Sequence, residues 1–580
     1  MRPRLAIAAA AAVAIIVSMG ACQRTEESGG NQEQRESQTS GISTDPADSK
    51  GPAAEVEGAR KGGTAYILRR TNYAHLDPQR TYSVSAMAIQ QLFARTLTAF
   101  KEPGGNRLLL VGDLAEDTGK DVNKDCKVWE YKLKKGVKWE DGTEVKASQV
   151  AYGIARSFDL DLTGGPTYLQ EWLANDPQFA NVWDFKKNKD KLPPGLTAPD
   201  DYTVRFEFQK PQCELPYALA LPTSSPVLQA KDTGVDYDNM PFSNGPYKIT
   251  KYQRGSEMIL ERNTNWDPAT DPIRHQYPDK FHVKFGIDAS TASNRVKAEV
   301  GDDKNAIITA LDPALVPVVA SDPSLQNRVI KESTSFVWYL WINNQKVKDV
   351  NVRKALNWAV DRDAYIKSIG GELLGEPVTT ILSPLTIGYE KYDAYPGGPT
   401  GDPNKAKELL GGQTPTLTLA HSDTPQAQQS AVAMKSGLER AGFKITLAPT
   451  PGDTFLDDIG VKNNPWDIYV SAWAADWPTA RTTIPVLWDG RTIRDKGNHN
   501  YMYWNEPSMN SEMDRISVIS DPKQAAKEWM ALDKKIMTDF APCVPIYADR
   551  VFLLHGSNVG GLYVSDSIAT LSFTNVFVKS

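Results

Sequence analysis

Catalytic signatures are missing from this chain. Its 580 residues hold only six histidines and four cysteines. The histidines (His75, His275, His282, His421, His499 and His555) are scattered and never fall in the His-Glu-x-x-His spacing of a zinc protease. No Cys-x-x-Cys, Gly-x-Ser-x-Gly elbow, Gly-x-x-x-x-Gly-Lys phosphate loop or Gly-x-Gly-x-x-Gly fingerprint occurs. Triads are assembled from distant positions, so a secreted hydrolase is kept as a distant third reading. Positive charge is not in surplus either. Lys+Arg number 65 against 71 Asp+Glu, a formal net charge of −6. The densest basic cluster, Lys132, Lys134, Lys135 and Lys138, alternates with apolar residues like the wet side of a strand. Nucleic acid is therefore excluded as a partner. What is abundant is core material: 41% hydrophobic residues, with 14 Trp and 22 Tyr, in a chain long enough for two to four domains.

The first residues address the chain to the outside. Arg2 and Arg4 precede an apolar run, Leu5 to Val17, and then Ser18-Met19-Gly20-Ala21-Cys22. A basic start, a short apolar stretch and small residues before a cut make a secretory signal over residues 1–21. The run is shorter than the ~20 residues of a membrane-spanning helix. Gly-Ala-Cys resembles the lipobox of bacterial lipoproteins, in which Cys22 becomes the lipidated first residue; Met19 stands where the pattern usually has Leu. The alternative is an ordinary signal peptide cut near Ala21. Gln23 to Arg60 contains almost no large apolar residue, so residues 22–61 are expected to be a flexible linker holding a soluble body near the membrane.

The body alternates strand and helix signals without an internal repeat. Val128 to Leu133 and Tyr202 to Phe208 show the period-2 pattern of strands. Tyr247-Lys248-Ile249 and Met258-Ile259-Leu260 read as a strand pair turning near Gly255. Helices are predicted over Ala86 to Phe100, Lys146 to Ser157, Asn351 to Ser368 and from Pro403 through Leu410. This is an α/β pattern in more than one domain.

Four blocks resemble a known family, in its order. Trp129-Glu130-Tyr131-Lys132-Leu133 through Gly136-Val137-Lys138-Trp139-Glu140-Asp141-Gly142 is similar to its "W-x-F-x-L-R-x-G-V-K-F-x-D-G" signature. Ser243-Asn244-Gly245-Pro246-Tyr247-Lys248-Ile249, with Leu260 to Asn263 and Trp266, resembles "G-x-G-P-Y-x-V … L-x-R-N-x-x-Y-W". Asn351 to Arg362 and Asp402 to Leu410 match two later segments. The family is that of the family 5 extracytoplasmic solute-binding proteins, the oligopeptide- and dipeptide-binding lipoproteins of ABC importers. The resemblance implies a two-lobed, periplasmic-binding-protein-like fold of class II type, with a hinge and an extra domain inserted in the first lobe. By matching segments, lobe I is expected at 62–84, 221–304 and 546–580, the inserted domain at 85–220 and lobe II at 305–545. It also implies a monomer that holds a peptide between its lobes for a permease and ATPases on separate chains, with no enzyme activity, cofactor or metal. A sugar, haem or a nickel complex is the alternative cargo within the same fold, since fold does not fix ligand.

Site residues carry over the same way. Ala472-Trp473-Ala474-Ala475-Asp476-Trp477 matches the family's "A-x-W-x-A-D-Y", which makes Asp476 the anchor for a ligand ammonium and Trp473 and Trp477 pocket walls or core residues. Where some members have a disulfide cysteine this chain has Ala474. Tyr82, Ser83, Asn244, Tyr339, Trp341 and Asn343 stand at positions near the family's cleft. Arg481 and Arg491 are cationic candidates for a peptide carboxylate, a surface arginine being the plainer reading. With Cys22 set aside, three cysteines remain, so at most one internal bridge forms. If the Val128–Leu133 and Tyr202–Phe208 strands pair antiparallel, Cys126 and Cys213 lie side by side, and Cys543 is left as a buried thiol near the lobe boundary. Three free thiols are the alternative.

Overall fold

A computed structural model of the chain describes residues 41–102, 108–519 and 521–579. The signal segment and Cys22 lie outside the described residues. None of the described helices is long and apolar enough to cross a membrane.

Two sheets form the centres of two lobes. The first has five strands in the order Ala306–Ile308, Thr64–Leu68, Lys280–Lys284, Glu257–Arg262 and Tyr247–Gln253. Its alternating inward residues, Ile67, Met258, Leu260, Phe281 and Val283, are fully buried. The last two strands form the expected hairpin, and Gly255 at its turn has φ +75°, where a side chain would be strained. The second sheet has six strands in the order Gly375–Pro377, Cys543–Leu554, Val329–Ile342, Ile468–Trp473, Thr416–Ser422 and Lys444–Thr450. It is covered on both faces, which is why its strands read as near-continuous apolar runs.

The strands Val329–Ile342 and Cys543–Leu554 join the lobes. They pair antiparallel from Val329↔Leu554 to Trp341↔Cys543, interrupted by an irregularity between Ser333 and Val337. At one end Phe552 and Leu554 belong to the first core; at the other, Val337, Tyr339 and Trp341 belong to the second. The chain thus crosses between lobes within two paired strands. Past Lys304, Ala306–Ile308 still pairs with Thr64–Leu68, so the first sheet runs to Ile308.

A third, four-stranded antiparallel sheet lies between residues 120 and 207, packed under the helix Ala147–Arg156. In it Val128–Lys132 pairs with Thr203–Glu207, Trp129 opposite Phe206 and Tyr131 opposite Val204. The register brings Cys126 beside Cys213, and the two form the expected disulfide. Cys543 is the free, buried thiol.

Three local expectations are corrected. The helix predicted over Ala86 to Phe100 ends at Gln90; Arg95 turns inward to Asp113 at 2.8 Å, and Thr98–Lys101 joins a sheet edge. The helix over Asn351 to Ser368 is two helices, Val350–Ala359 and Arg362–Ile369, with Asp361 capping the second through Ala364 N at 2.9 Å. The flexible linker is not one over residues 41–61. Gly41 and Ile42 pair parallel with Leu109 and Leu110. Ser49 Oγ accepts from Gly112 N at 2.8 Å, and Glu55 accepts from the Tyr277 hydroxyl at 2.8 Å. Gly51 fits so closely that a Cβ there would stand 2.3 Å from Pro268 O. Composition weighs side-chain burial, but this strap is held by backbone pairing and small residues.

Candidate functional site

A cavity of about 700 Å³ lies between the lobes. Tyr82 and Ser83, just before the helix Val84–Gln90, come from the first lobe; Trp473 and Asp476, at and beyond the end of Ile468–Trp473, come from the second. Trp338 and Asp549, on the two connecting strands, complete the wall. The size suits a small ligand enclosed on most sides.

Asp476 is the centre of the polar geometry. It is 9% exposed, and its Oδ2 accepts hydrogen bonds from the Tyr82 and Tyr168 hydroxyls, each at 2.7 Å. Tyr82 belongs to the first lobe, Tyr168 to the inserted domain and Asp476 to the second lobe. Burial pushes the Asp476 carboxyl up to about 7, against the two phenols that pull it down. Trp473 sits beside it, edge-on to Tyr82 with ring centroids 5.4 Å apart, its indole N–H on Thr482 O at 3.0 Å.

The lobes are closed on this cavity by further pairs. His75 joins Asp238 at 2.6 Å in its own lobe and Asp457 at 3.2 Å in the other. Burial disfavours its charge, but the two carboxylates outweigh burial and hold it up at about 9. Arg494 reaches Glu171 at 3.1 Å, and Gln178 donates to Ile493 O at 3.0 Å. His499, half-buried and packed against Tyr82 and Trp473, is pushed down to about 4 by desolvation and is neutral.

Of the residues singled out from sequence, Asp476, Trp473, Tyr82 and Ser83 meet at the cavity. The others do not. Trp477 lies in the core of the inserted domain, stacked on Tyr217 at 6.0 Å with its N–H on Glu214 at 3.0 Å. Arg481 meets Gln212 at 3.1 Å in the seam between lobes, and Arg491 is bound by Asp489 and Asp514. Asn244 is buried behind the first lobe, its Oδ1 accepting from Arg95 N at 2.9 Å. Tyr339 and Trp341 stack on each other at 4.3 Å inside the second core, and Asn343 Oδ1 closes a turn through Gln345 N. On this strand it is Phe336 and Trp338, at the opposite parity, that line the cavity. Asp549 was missed; it lines the cavity, accepts hydrogen bonds from Thr334 and the Trp338 indole, and is pushed up to about 6 by burial. Its place in Tyr547-Ala548-Asp549-Arg550, at period 2 from Tyr547, was the only signal. No group of three or more His, Cys, Asp or Glu among the described residues is placed to hold a metal ion.

Comparison with known proteins bears on the family and the fold. The family described as "Bacterial extracellular solute-binding proteins, family 5 Middle" matches residues 110–494. The dipeptide-binding protein DppE of Bacillus subtilis (strain 168) is 24% identical over 473 residues, 76% of this chain and 79% of that protein. The periplasmic oligopeptide-binding protein OppA of Salmonella typhimurium is 25% identical over 479 residues, 79% and 83% of the two chains. Among solved structures, the clavulanic acid biosynthesis oligopeptide binding protein 2 superposes with a TM-score of 0.76 at 27% identity, covering 92% of this chain and all of that one.

Proposed function

The chain belongs to the family 5 bacterial extracellular solute-binding proteins, which bind and carry solute and are not enzymes, and from that premise we propose that it captures a short peptide between its lobes and delivers it to an ABC-type permease. The observation that carries the peptide reading is Asp476: a carboxylate buried in the cavity wall with two phenol donors and no cationic partner among the described residues. A buried charge of this kind is balanced by a ligand ammonium. Tyr82 and Tyr168 fix the orientation of the carboxylate, while Trp473 and Ser83 bound the space around it.

The sequence of events follows from the architecture. In an open form Asp476 is hydrated and its charge carries little penalty. A peptide amine docks on it, water leaves, and the lobes close through bending at the paired strands Val329–Ile342 and Cys543–Leu554. Pockets large enough to retain water then tolerate varied side chains. Lipidation at Cys22 holds the body at the outer face of the membrane, where the permease and its ATPases, as separate chains, receive the ligand. The working lobes divide within the two connecting strands. Asn244, Tyr339, Trp341 and Asn343 belong to the scaffold, and Arg481 and Trp477 to the closing seam.

Native mass spectrometry of the mature protein as isolated, followed by calorimetry with free-amine peptides, tests the proposal. A co-purifying peptide mass and stoichiometric binding without turnover support it. A bound mass that is not a peptide, with no binding of di- to pentapeptides, overturns it.

A further inference from the structure

The cations that line the cavity are already engaged. Arg80 is paired with Asp238 at 2.7 Å, Arg274 with Asp113 at 2.8 Å, and Arg550 with Glu376 and the Glu372 carbonyl. His75 is held between Asp238 and Asp457. Of the other two histidines, His421 sets its Nδ1 against Ser422 O at 2.8 Å and His499 is neutral. Two carboxylates in the wall have the opposite status. Among the described residues no lysine, arginine or histidine pairs with Asp476 or with Asp549.

Asp476 follows one strand and Asp549 lies on another, two ladder steps apart. Trp473, Val337 and Ala548 stand side by side on three neighbouring strands. Two steps of about 4.8 Å set the outer strands about 10 Å apart. That is roughly three residues of an extended peptide. Asp476 follows the Trp473 end and Asp549 follows Ala548. Between them the wall is aromatic: Trp338 stacks on Tyr547 at 5.8 Å, and rings of this kind attract cations on their faces. A neutral ligand side chain closing over the half-buried Asp549 would take its carboxylate out of water unpaired, which binding disfavours.

Resting on the peptide reading above, we propose that the ligand is doubly cationic: an amine-terminated peptide whose first three residues include a lysine or arginine, the ammonium on Asp476 and the basic side chain on Asp549. Any ligand carboxylate then stays at the cavity mouth or beyond, since no lysine or arginine lining the cavity among the described residues is free for it.

Calorimetry of the mature, unliganded protein tests this with alanine tripeptides carrying lysine at the first, second or third residue, each against its norleucine twin of the same shape. At least one lysine peptide is expected to bind about 30-fold tighter than its twin or better, the range for a buried pair that loses one charge. In D549N that ratio is expected to fall to about one, and N-acetylation is expected to weaken both twins alike. If all the twins bind equally well to the parent protein, the second-cation assignment is wrong and the peptide reading stands. A ratio that survives in D549N overturns Asp549 as the partner. If no tripeptide of either kind binds, the peptide reading falls and this inference falls with it.

Discussion

Tyr82 and Asp476, 394 positions apart in sequence, share a 2.7 Å hydrogen bond that runs from one lobe to the other. Tyr168 of the inserted domain meets the same carboxylate oxygen at 2.7 Å. Three parts of the chain therefore converge on one atom, and the closed form is defined by it. Opening the lobes returns that carboxylate to water, so its charge state and the closure of the molecule are linked.

Asp476→Asn keeps the shape and removes the charge. Free-amine peptides should bind more weakly by about 2–5 kcal/mol, roughly 30- to 4000-fold, because the ammonium is left buried and unpaired. An N-acetylated peptide should bind poorly to the parent, and the substitution should add little further loss. Calorimetry on both proteins with both peptides closes that cycle, and equal binding of free-amine peptides by the two proteins refutes the amine anchor.

Closure without ligand should depend on pH. The closed form raises Asp476 from its ordinary 3.8 to about 7, so between those values it holds more protons than the open form. Stability of the closed form relative to the open one therefore falls as pH rises through that window. Asp549, raised to about 6, acts in the same direction. His75, held up at about 9 in the closed form, keeps Asp238 when the lobes part and loses Asp457, so the Asp457 share of its upward shift extends the trend upward. His499, held near 4, opposes it between 4 and 6.5. Small-angle scattering of the unliganded protein should give a smaller radius at pH 5 than at pH 8, and Asp476→Asn should flatten the difference. A radius that grows on acidification contradicts the sign.

Trp477 is 2% exposed although its own lobe contributes little of its surroundings; it inserts into the core of the inserted domain beside Tyr168 and Tyr217. Trp477→Ala should remove about 3–5 kcal/mol from the closed form. The expected outcome is weaker peptide binding and a larger radius at saturating ligand than the parent shows. Unchanged affinity would mean that this insertion does not hold the lobes shut.

The Cys126–Cys213 bridge spans 87 positions. Closing a loop of that length stabilises the folded chain by about 4–5 kcal/mol in the chain-entropy account. Replacing both cysteines with serine should lower the melting temperature while leaving peptide affinity nearly intact, because the bridge lies in the inserted domain away from the cavity. Thermal scans beside calorimetry decide it.

Much of this architecture was legible from residues. The period-2 pattern of Val128–Leu133 and Tyr202–Phe208 led to their pairing and, through it, to the disulfide. Asp476 came from a matching block. The face of Trp338–Asn343 did not come out correctly, because a strand buried on both sides is apolar at every position and alternation then carries no sign. Asp549 was hidden for a related reason. A lone acid beside an arginine in the middle of a strand looks like its solvated face, and only the fold turns it into a cavity wall. The strap at 41–61 escaped because main-chain pairing leaves no mark on composition.

That strap makes the two halves of the molecule unequal. Gly41 is clamped to Leu109, and Ser49, Gly51 and Glu55 are held at Gly112, Pro268 and Tyr277. Residues 41–55 thus brace one half, and the half carrying Asp476 is the one left to swing. A membrane partner would meet one stationary jaw and one moving jaw, and could sense occupancy by where the second has come to rest.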